Sequence, residues 1–156
     1  MSIPQTKIYT GIGSRKTPLN ILTKFKAVGR RAAELGWELR SGGAEGADET
    51  FEQGCAEVNG KKEIYLPWRR WRKNDSPLYY VSPEAFNLAC QFHPAWDMCS
   101  NMAKEFHGRN SYQILGLDLN IQTDVVVCWT PASGGTTQAL RIARSFNIPI
   151  LNLLDK

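Results

Sequence analysis

The sequence contains none of the features that mark secreted, disulfide-bonded or membrane-spanning proteins. Its four cysteines form no C-x-x-C pair, which favours free thiols in a reducing compartment. Its longest β-branched run, from Val125 to Val127, is far too short to span a bilayer, and the first seven residues lack the apolar core of a signal peptide. We therefore expect a cytoplasmic protein that does not contact membranes.

Residues that form hydrolytic triads or metal sites are also scarce. The chain has two histidines and no G-x-S-x-G sequence, so a hydrolytic triad has little support. The residue types for zinc occur at Cys90, His93, Cys99 and His107, but their spacing matches no closed zinc site and a proline interrupts it. We therefore expect these cysteines to be inert buried thiols, and the protein to hold no metal and no cofactor.

The net charge gives little indication of a nucleic-acid partner, because 19 basic and 15 acidic side chains leave only +4. The excess is concentrated between Lys61 and Lys73, where six basic residues stand against one acidic residue. Part of this segment interleaves cations with indoles, a pairing that suits the backbone and bases of a single strand. The same residues could instead form a lid over a nucleotide, or a surface loop whose tryptophans fill a gap in the core. The residues concerned are Trp68, Arg69, Arg70, Trp71 and Arg72.

The first half of the chain alternates between strand and helix patterns. Short apolar or β-branched runs that end in glycine or proline indicate strands, and apolar residues that recur every three or four positions indicate helices. The predicted strands cover residues 6–10, 37–40 and 63–66, and the predicted helices cover 18–35 and 48–58. This is the βαβαβ pattern of a parallel sheet.

The second half completes the sheet after an insertion. A long loop is predicted over residues 67–82. Helices are predicted to follow over 83–91, 94–106 and 111–119, with a break at Gly108. A buried strand, a helix and a final strand are predicted over 123–129, 136–146 and 148–153. Joined by right-handed crossovers, these strands and helices form one predicted α/β domain over residues 1–156. It is a doubly wound, Rossmann-like, mostly parallel five-stranded sheet of order 3-2-1-4-5, with a helical insertion between strands three and four.

Three glycine-bearing turns each follow a predicted strand and precede a predicted helix. They are Gly11-Ile12-Gly13-Ser14-Arg15, Ser41-Gly42-Gly43-Ala44-Glu45-Gly46-Ala47-Asp48 and Ser133-Gly134-Gly135-Thr136-Thr137. Such a turn lets backbone approach a ligand and aims free N–H groups at it, which suits phosphate. The strand order places the first and third turns over one crevice. The alternatives are glycines that only relieve steric strain and, at the third turn, a structural N-cap formed by Ser133 or Thr136.

The first of these turns is only a partial dinucleotide fingerprint. Lys16 replaces the third glycine, and Arg40 and Ser41 stand where the ribose-binding acid would follow the second strand. The sequence therefore argues against a nicotinamide-dependent dehydrogenase. Arg15 favours phosphate instead, because a guanidinium beside open N–H groups forms a good phosphate fork.

Four segments, taken in order, resemble the Rossmann-like domain of DNA-processing protein A: Gly13-Ser14-Arg15, the turn at 41–48, Phe106-His107-Gly108-Arg109-Asn110 and Ser133-Gly134-Gly135-Thr136. The similarity covers about residues 7–153 and extends to the wider LOG-like (SLOG) superfamily, with its phosphoribohydrolases and molybdenum-cofactor carriers. It implies a nucleotide-derived ligand or single-stranded DNA over the carboxyl ends of the strands. Together with the turns, it gives these candidate ligand-binding residues: Gly11, Gly13, Ser14, Arg15, Ser41, Gly42, Gly43, Asp48, Arg109, Asn110, Ser133, Gly134, Gly135 and Thr136.

We expect a binding module for a nucleotide or nucleotide-derived small molecule rather than an enzyme. The runner-up hypothesis is single-stranded DNA binding in DNA processing or recombination, which the tryptophan–arginine segment and the resemblance both favour. A third is a nucleotide N-glycoside hydrolase that uses Glu45, Asp48 or Glu49 as its acid. Against it, aligning the third turn with the PGGxGTxxE turn of LOG enzymes places Ala139 at the position of the glutamate. The sequence leaves open whether the chain forms a homo-oligomer.

Overall fold

A computed structural model describes residues 6–131 and 134–155 of the chain. Its strands are β1 (Ile8–Gly13), β2 (Glu38–Ser41), β3 (Lys62–Ile64), β4 (Val125–Trp129) and β5 (Ile150–Asn152). Its helices are α1 (Leu19–Glu34), α2 (Ala47–Ala56), α3 (Pro83–Phe92), α4 (Asn101–Leu115) and α5 (Gly135–Ser145). Every neighbouring pair of strands is parallel, and the order is β3-β2-β1-β4-β5. The predicted doubly wound α/β fold, with its helical insertion between the third and fourth strands, is confirmed.

Both faces of the sheet are covered by helices whose apolar side chains form the core. On one face, Phe25 of α1 stacks on Phe51 of α2 with ring centroids 4.3 Å apart, in the same cluster as Leu39 of β2. On the other face, Ile142 of α5 shares a cluster with Val126 of β4. No helix among the described residues combines the length and the apolarity that crossing a bilayer requires.

The two central strands end side by side. β1 and β4 pair in register from Tyr9 and Val125 to Gly13 and Trp129. In a doubly wound sheet the crossover helices leave a crevice at this edge, where the strand order reverses. The register therefore brings the turn after β1 next to the turn after β4.

The helical insertion differs from its prediction at α4. This helix is continuous from Asn101 to Leu115, so the predicted break at Gly108 and the separate helices over 94–106 and 111–119 are wrong. Gly108 is buried in the middle of the helix, where a Cβ would meet Val81 Cγ1 at 2.5 Å. The glycine therefore permits close packing and does not end the helix. The real interruption lies earlier, where one turn of 3-10 helix at Trp96–Met98 separates α3 from α4.

Candidate functional site

A cleft of about 500 Å³ opens where β1 and β4 end. Its walls come from the turn after β1, the start of α2, the turn before α5 and the inner face of α4. The volume falls in the range of small-molecule sites, roughly 300–1,000 Å³. The cleft brings together these predicted ligand-binding residues: Gly13, Ser14, Arg15, Asp48, Arg109, Asn110, Gly134, Gly135 and Thr136.

Two other predicted residues lie behind the cleft and hold the sheet together. A Cβ at Gly11 would meet the ring of Phe51 at 2.6 Å, so this glycine makes room for α2. Ser41 is fully buried, and its hydroxyl donates to the carbonyl of Gly11 at 2.6 Å. Both residues therefore serve the packing of β1, β2 and α2, and the structure does not place them on the cleft wall.

The turn after β2 is also mainly structural. A Cβ at Gly42 would collide with the side chains of Arg109 and Asp48, so the glycine leaves space for these two charged groups. Gly43 lines a separate groove on the other side of the turn, with a left-handed φ of 70°. Ser133, the remaining predicted residue, lies outside the described part of the chain.

The turn after β1 does not present the row of free amides that its glycines predict. The Gly13 N–H donates to a carboxylate oxygen of Asp48 at 3.2 Å, and the Ser14 N–H donates to the last carbonyl of β4 at 3.0 Å. The Lys16 N–H donates to the Ser14 hydroxyl at 3.0 Å. This turn therefore contributes to the cleft mainly through the exposed cationic side chains of Arg15 and Lys16.

The start of α5 keeps its amides available. The N–H groups of Gly135 and Thr136 donate to no acceptor among the described residues, as is usual for the first turn of a helix. Gly134 precedes them with a φ of 110°, a conformation that favours glycine. A Cβ at Gly135 would meet no atom within 4 Å, so the backbone there borders the open space of the cleft. Unpaired amides at the positive end of a helix dipole are favourable partners for an anion.

Asp48 and Arg109 form a buried charged floor beneath the cleft, and they are only 4% and 5% exposed. The Arg109 Nη1 donates to the carbonyls of Gly42 and Tyr65 at 2.6 and 3.1 Å, which fixes the guanidinium in place. Burial raises the pKa of Asp48 to about 6, while the charge of Arg109 opposes that shift. Burial also lowers the pKa of Arg109 to about 10, so the guanidinium stays protonated at neutral pH.

Aromatic rings line the side of the cleft formed by the insertion. Trp71 and Phe106 both border the cleft and meet edge to face, with centroids 5.3 Å apart. Trp68 packs on Phe106 at 5.5 Å, and the Arg109 guanidinium carbon lies 5.5 Å from the centroid of a Trp71 ring, within cation–π range. Trp71 is only 9% exposed and belongs to the core, so of the three interpretations of the loop, filling a core gap applies to this tryptophan.

The arginines of the same loop point elsewhere. Arg69, Arg70 and Arg72 all lie outside the lining of the cleft. The Arg72 Nη2 is 3.0 Å from Glu49 Oε2, and Arg70 Nη2 is 3.7 Å from Asp75 Oδ1. Two of the three cations are thus partly neutralised by the chain itself, and Arg69 is exposed.

The candidate acids for glycoside hydrolysis are separated by the fold. Glu49 turns back on its own helix, where Oε1 accepts from the Gly46 N–H at 3.3 Å and Oε2 pairs with Arg72. The side chain of Glu45 is 66% exposed and lies outside the cleft lining. Of the three, Asp48 is the one that borders the cleft.

Several lining residues were missed by the sequence-based prediction. These are Ile12, Lys16, Ala44, Ala103, Phe106, Gln113 and Thr130. Ala103 and Gln113 share one face of α4 with Phe106 and Asn110, since all four follow three- and four-residue steps along the helix. That periodicity was the available signal, and the expected break at Gly108 concealed it.

The cysteines do not all match the expectation of inert buried thiols. Cys55 and Cys128 are buried, but Cys90 is exposed and Cys99 is half-buried. The Cys99 sulfur lies 3.7 Å from His93 Nε2, and the rings of His93 and His107 have centroids 4.5 Å apart. Burial lowers the pKa of His107 to about 4, with further lowering by the neighbouring His93, so this imidazole is neutral at pH 7.

No protein-family model and no curated relative matches the sequence. Solved structures match it at low identity. The Moco carrier protein of Chlamydomonas rheinhardtii is 18% identical over 97% of this chain and 77% of its own, with a TM-score of 0.61. The molybdenum cofactor binding protein of Rippkaea orientalis is 19% identical over 94% and 75%, with a TM-score of 0.62.

DNA processing protein A from Helicobacter pylori, described for its single-stranded DNA binding, is also similar. It is 18% identical over 93% of this chain and 63% of its own, with a TM-score of 0.61. The likeness to these proteins is one of fold, and it agrees with the Rossmann-like fold that the resemblance to DNA-processing protein A implies.

Proposed function

We propose that the chain binds a phosphate-bearing nucleotide or nucleotide-derived small molecule in the cleft at the ends of β1 and β4. One observation carries this proposal. The amides of Gly135 and Thr136, which have no acceptor in the described part of the chain, face the same cleft as the cationic side chains of Arg15 and Lys16. Amides at a helix N-terminus and a guanidinium are both favourable partners for phosphate.

The opposite wall suits a planar ring. Phe106 and Trp71 present aromatic surface to the cleft, and Arg109 lies against both rings at 5.6 and 5.5 Å. A ligand with a phosphate at α5 and a heterocycle near these rings would use both kinds of contact. A cleft of this volume accommodates one such molecule.

The proteins of similar structure also support this proposal, independently of the cleft geometry. Two of them are described as a carrier and a binding protein of the molybdenum cofactor, and a third as a protein that binds single-stranded DNA. Binding and carrying a small phosphate-bearing ligand agrees with the positions of Glu45 and Glu49 outside the cleft, which leave Asp48 as the one of the three candidate acids at the cleft.

The proposal is tested by measuring Kd for a panel of mono- and dinucleotides by calorimetry, alongside mass spectrometry of any small molecule that co-purifies. Arg15→Ala should weaken the best binder by about 1.5–3 kcal/mol, the contribution of a charge-assisted hydrogen bond. Arg31→Ala, at the far end of α1, is the control and should leave Kd unchanged. Equal Kd values for wild type and Arg15→Ala would remove Arg15 from the site, and no binding by any member of the panel would reject the proposal.

Single-stranded DNA binding is the second candidate, and one observation favours it. Trp68 and Arg69 are adjacent in the sequence and both exposed, so that a base could stack on the indole while the guanidinium pairs with a phosphate. The ion pairs of Arg70 and Arg72 reduce the charge available for this purpose. Affinity that grows with oligonucleotide length would favour this candidate over the small-molecule proposal.

A further inference from the structure

Three metal-ligating side chains converge at the edge of the cleft, apart from the anion site. One ligand atom from each of His93, Cys99 and His107 lies within 4.8 Å of those from the other two. Ligand atoms around one tetrahedral zinc ion are about 3.3–3.8 Å apart, because Zn–N and Zn–S bonds are about 2.0 and 2.3 Å long. The Cys99 sulfur already stands 3.7 Å from His93 Nε2, and no edge of the group needs to contract by more than about 1.5 Å.

The fold builds this group from three successive elements. His93 is the first residue after α3, Cys99 follows the 3-10 turn at Trp96–Met98, and His107 projects from α4. The Trp96 ring lies 6.2 Å from that of His93 and 6.4 Å from that of His107, which covers one side of the group. His107 Nδ1 is buried and has no hydrogen-bond partner among the described residues, so one ring nitrogen of this residue is available for a ligand.

The donor set determines the class of ion. One thiolate and two imidazoles suit zinc and similar borderline transition metals, and do not suit magnesium or calcium, which prefer oxygen. Three protein ligands with a fourth position left to water or substrate are typical of catalytic zinc sites, whereas closed four-ligand sites are structural. His107 also lines the cleft, which gives the fourth position access to a ligand bound there.

We propose that His93, Cys99 and His107 bind one zinc ion, or a similar transition-metal ion, at the edge of the cleft. This replaces the expectation from sequence spacing that the protein holds no metal. On binding, the Cys99 thiol releases its proton to solvent and the sulfur coordinates as thiolate.

The proposal predicts a local change at His93. The Ala95 N–H donates to His93 Nδ1 at 3.0 Å, so the neutral ring carries its proton on Nε2. Coordination through Nε2 moves that proton to Nδ1, and the bond from Ala95 must then break. Coordination through Nδ1 displaces the same N–H. The backbone amide resonance of Ala95 should therefore shift when metal is added.

The test uses the chelator-treated full chain, titrated with Zn²⁺ by calorimetry and with Co²⁺ as an optical probe. One equivalent should bind, and the cobalt form should show a thiolate-to-metal charge-transfer band. Cys99→Ala should abolish the band. It should also weaken zinc binding by more than about 100-fold, because losing a hydrogen-bond partner of a metal ligand already lowers metal affinity roughly 10–100-fold and losing the ligand itself should cost more. Cys90→Ala is the matched control because Cys90 is exposed on α3 and lies outside the group, and its Kd should equal that of wild type.

A second measurement does not depend on folding of the variants. Zinc should protect Cys99 of the wild-type protein from alkylation, as resolved by peptide mass spectrometry, while Cys90 in the same molecule stays reactive. Less than half an equivalent of zinc, or equal protection of both cysteines, would overturn the proposal. Neither readout requires a nucleotide, so failure here is distinguishable from failure of the proposed ligand site.

Discussion

At the scale of single residues, two features of the cleft stand out: the open backbone at the start of α5 and the buried charges of its floor. Gly135 contributes its amide and no side chain, and the space in front of it is open. Asp48 and Arg109 lie beneath the cleft and are held by hydrogen bonds to the backbone. Substitutions at these positions should separate ligand binding from stability.

Gly135→Val should abolish or greatly weaken binding of the best nucleotide while leaving the domain folded. The added side chain would project into the cleft and cover the amides of Gly135 and Thr136, each of which contributes about 1.5–3 kcal/mol if it bonds a charged phosphate. Calorimetry gives the Kd, and thermal unfolding gives the stability. Arg144→Val, at the exposed end of the same helix, is the control for a β-branched residue in α5. Unchanged affinity in a folded Gly135→Val protein would remove this turn from the phosphate site.

Asp48 should make the free energy of unfolding depend on pH. Its folded pKa, about 6, lies above the ordinary value of 3.8, so between these two pH values the folded state binds more protons than the unfolded state. The contribution of Asp48 to the free energy of unfolding therefore falls as the pH rises from about 4 to 6. At 1.36 kcal/mol per pKa unit, the fall amounts to about 2–3 kcal/mol.

The measurement is urea unfolding at a series of pH values for wild type and Asp48→Asn, which keeps an oxygen for the Gly13 N–H and removes the titration. The difference in unfolding free energy between the two proteins should change in favour of wild type on acidification. A difference that is constant from pH 4 to 7 would show that Asp48 titrates at its ordinary pKa in the folded state.

At the scale of elements, α4 links the insertion to the cleft. It carries Phe106, Arg109 and Gln113 on the face that borders the cleft, and it packs closely against Val81 through Gly108. A displacement of this helix would move the aromatic wall and the buried arginine together.

Gly108→Ala should therefore destabilise the protein. In an unconstrained helix interior, alanine is about 1 kcal/mol more favourable than glycine. Here the new Cβ would meet Val81 Cγ1 at 2.5 Å, and overpacking costs about 1–3 kcal/mol. Val81→Ala removes the obstructing methyl groups, so the double variant should be more stable than the sum of the two single changes predicts. Additive free energies in this cycle would contradict a direct contact between the two positions.

At the scale of the whole molecule, the excess positive charge is concentrated in and just before the loop at 67–82, yet this loop contributes Trp71 rather than its arginines to the cleft. The two candidate functions, small-molecule binding and nucleic-acid binding, would therefore use different parts of the surface. That separation allows the two candidate functions to be distinguished in one variant.

The triple change Arg69→Ala, Arg70→Ala and Arg72→Ala should leave the proposed mononucleotide binding in place, because the proposed anion site at α5 does not involve these side chains. If the loop instead binds along a nucleic-acid backbone, each cation that neutralises a phosphate contributes to the slope of log affinity against log salt concentration. Removing one such cation should make that slope shallower by about 0.7 for a single strand. Binding is measured with a mononucleotide panel and with single strands of increasing length at several salt concentrations. Binding confined to long strands, and abolished together with its salt slope in the variant, would make DNA binding the function.

The sequence by itself determined the strand order, the number of strands and the position of the insertion, because these follow from local periodicity and from the handedness of crossovers. It also located the residues of the first and third turns that border the cleft. Only the tertiary structure decided which glycines present free amides. The acceptors for Gly13 and Ser14 are Asp48 and Trp129, which come from other elements and leave no signal in the turn itself.

The same limit applies to α4 and to the histidines and cysteine beside it. Gly108 is a helix-breaking signal in isolation, and only the contact with Val81 explains why the helix continues through it. His93, Cys99 and His107 have no recognisable metal spacing, because they come from three successive elements, with a 3-10 turn between α3 and α4, and only the fold brings their side chains together. Local patterns thus determined the fold, while contacts between distant elements decided the chemistry of the site.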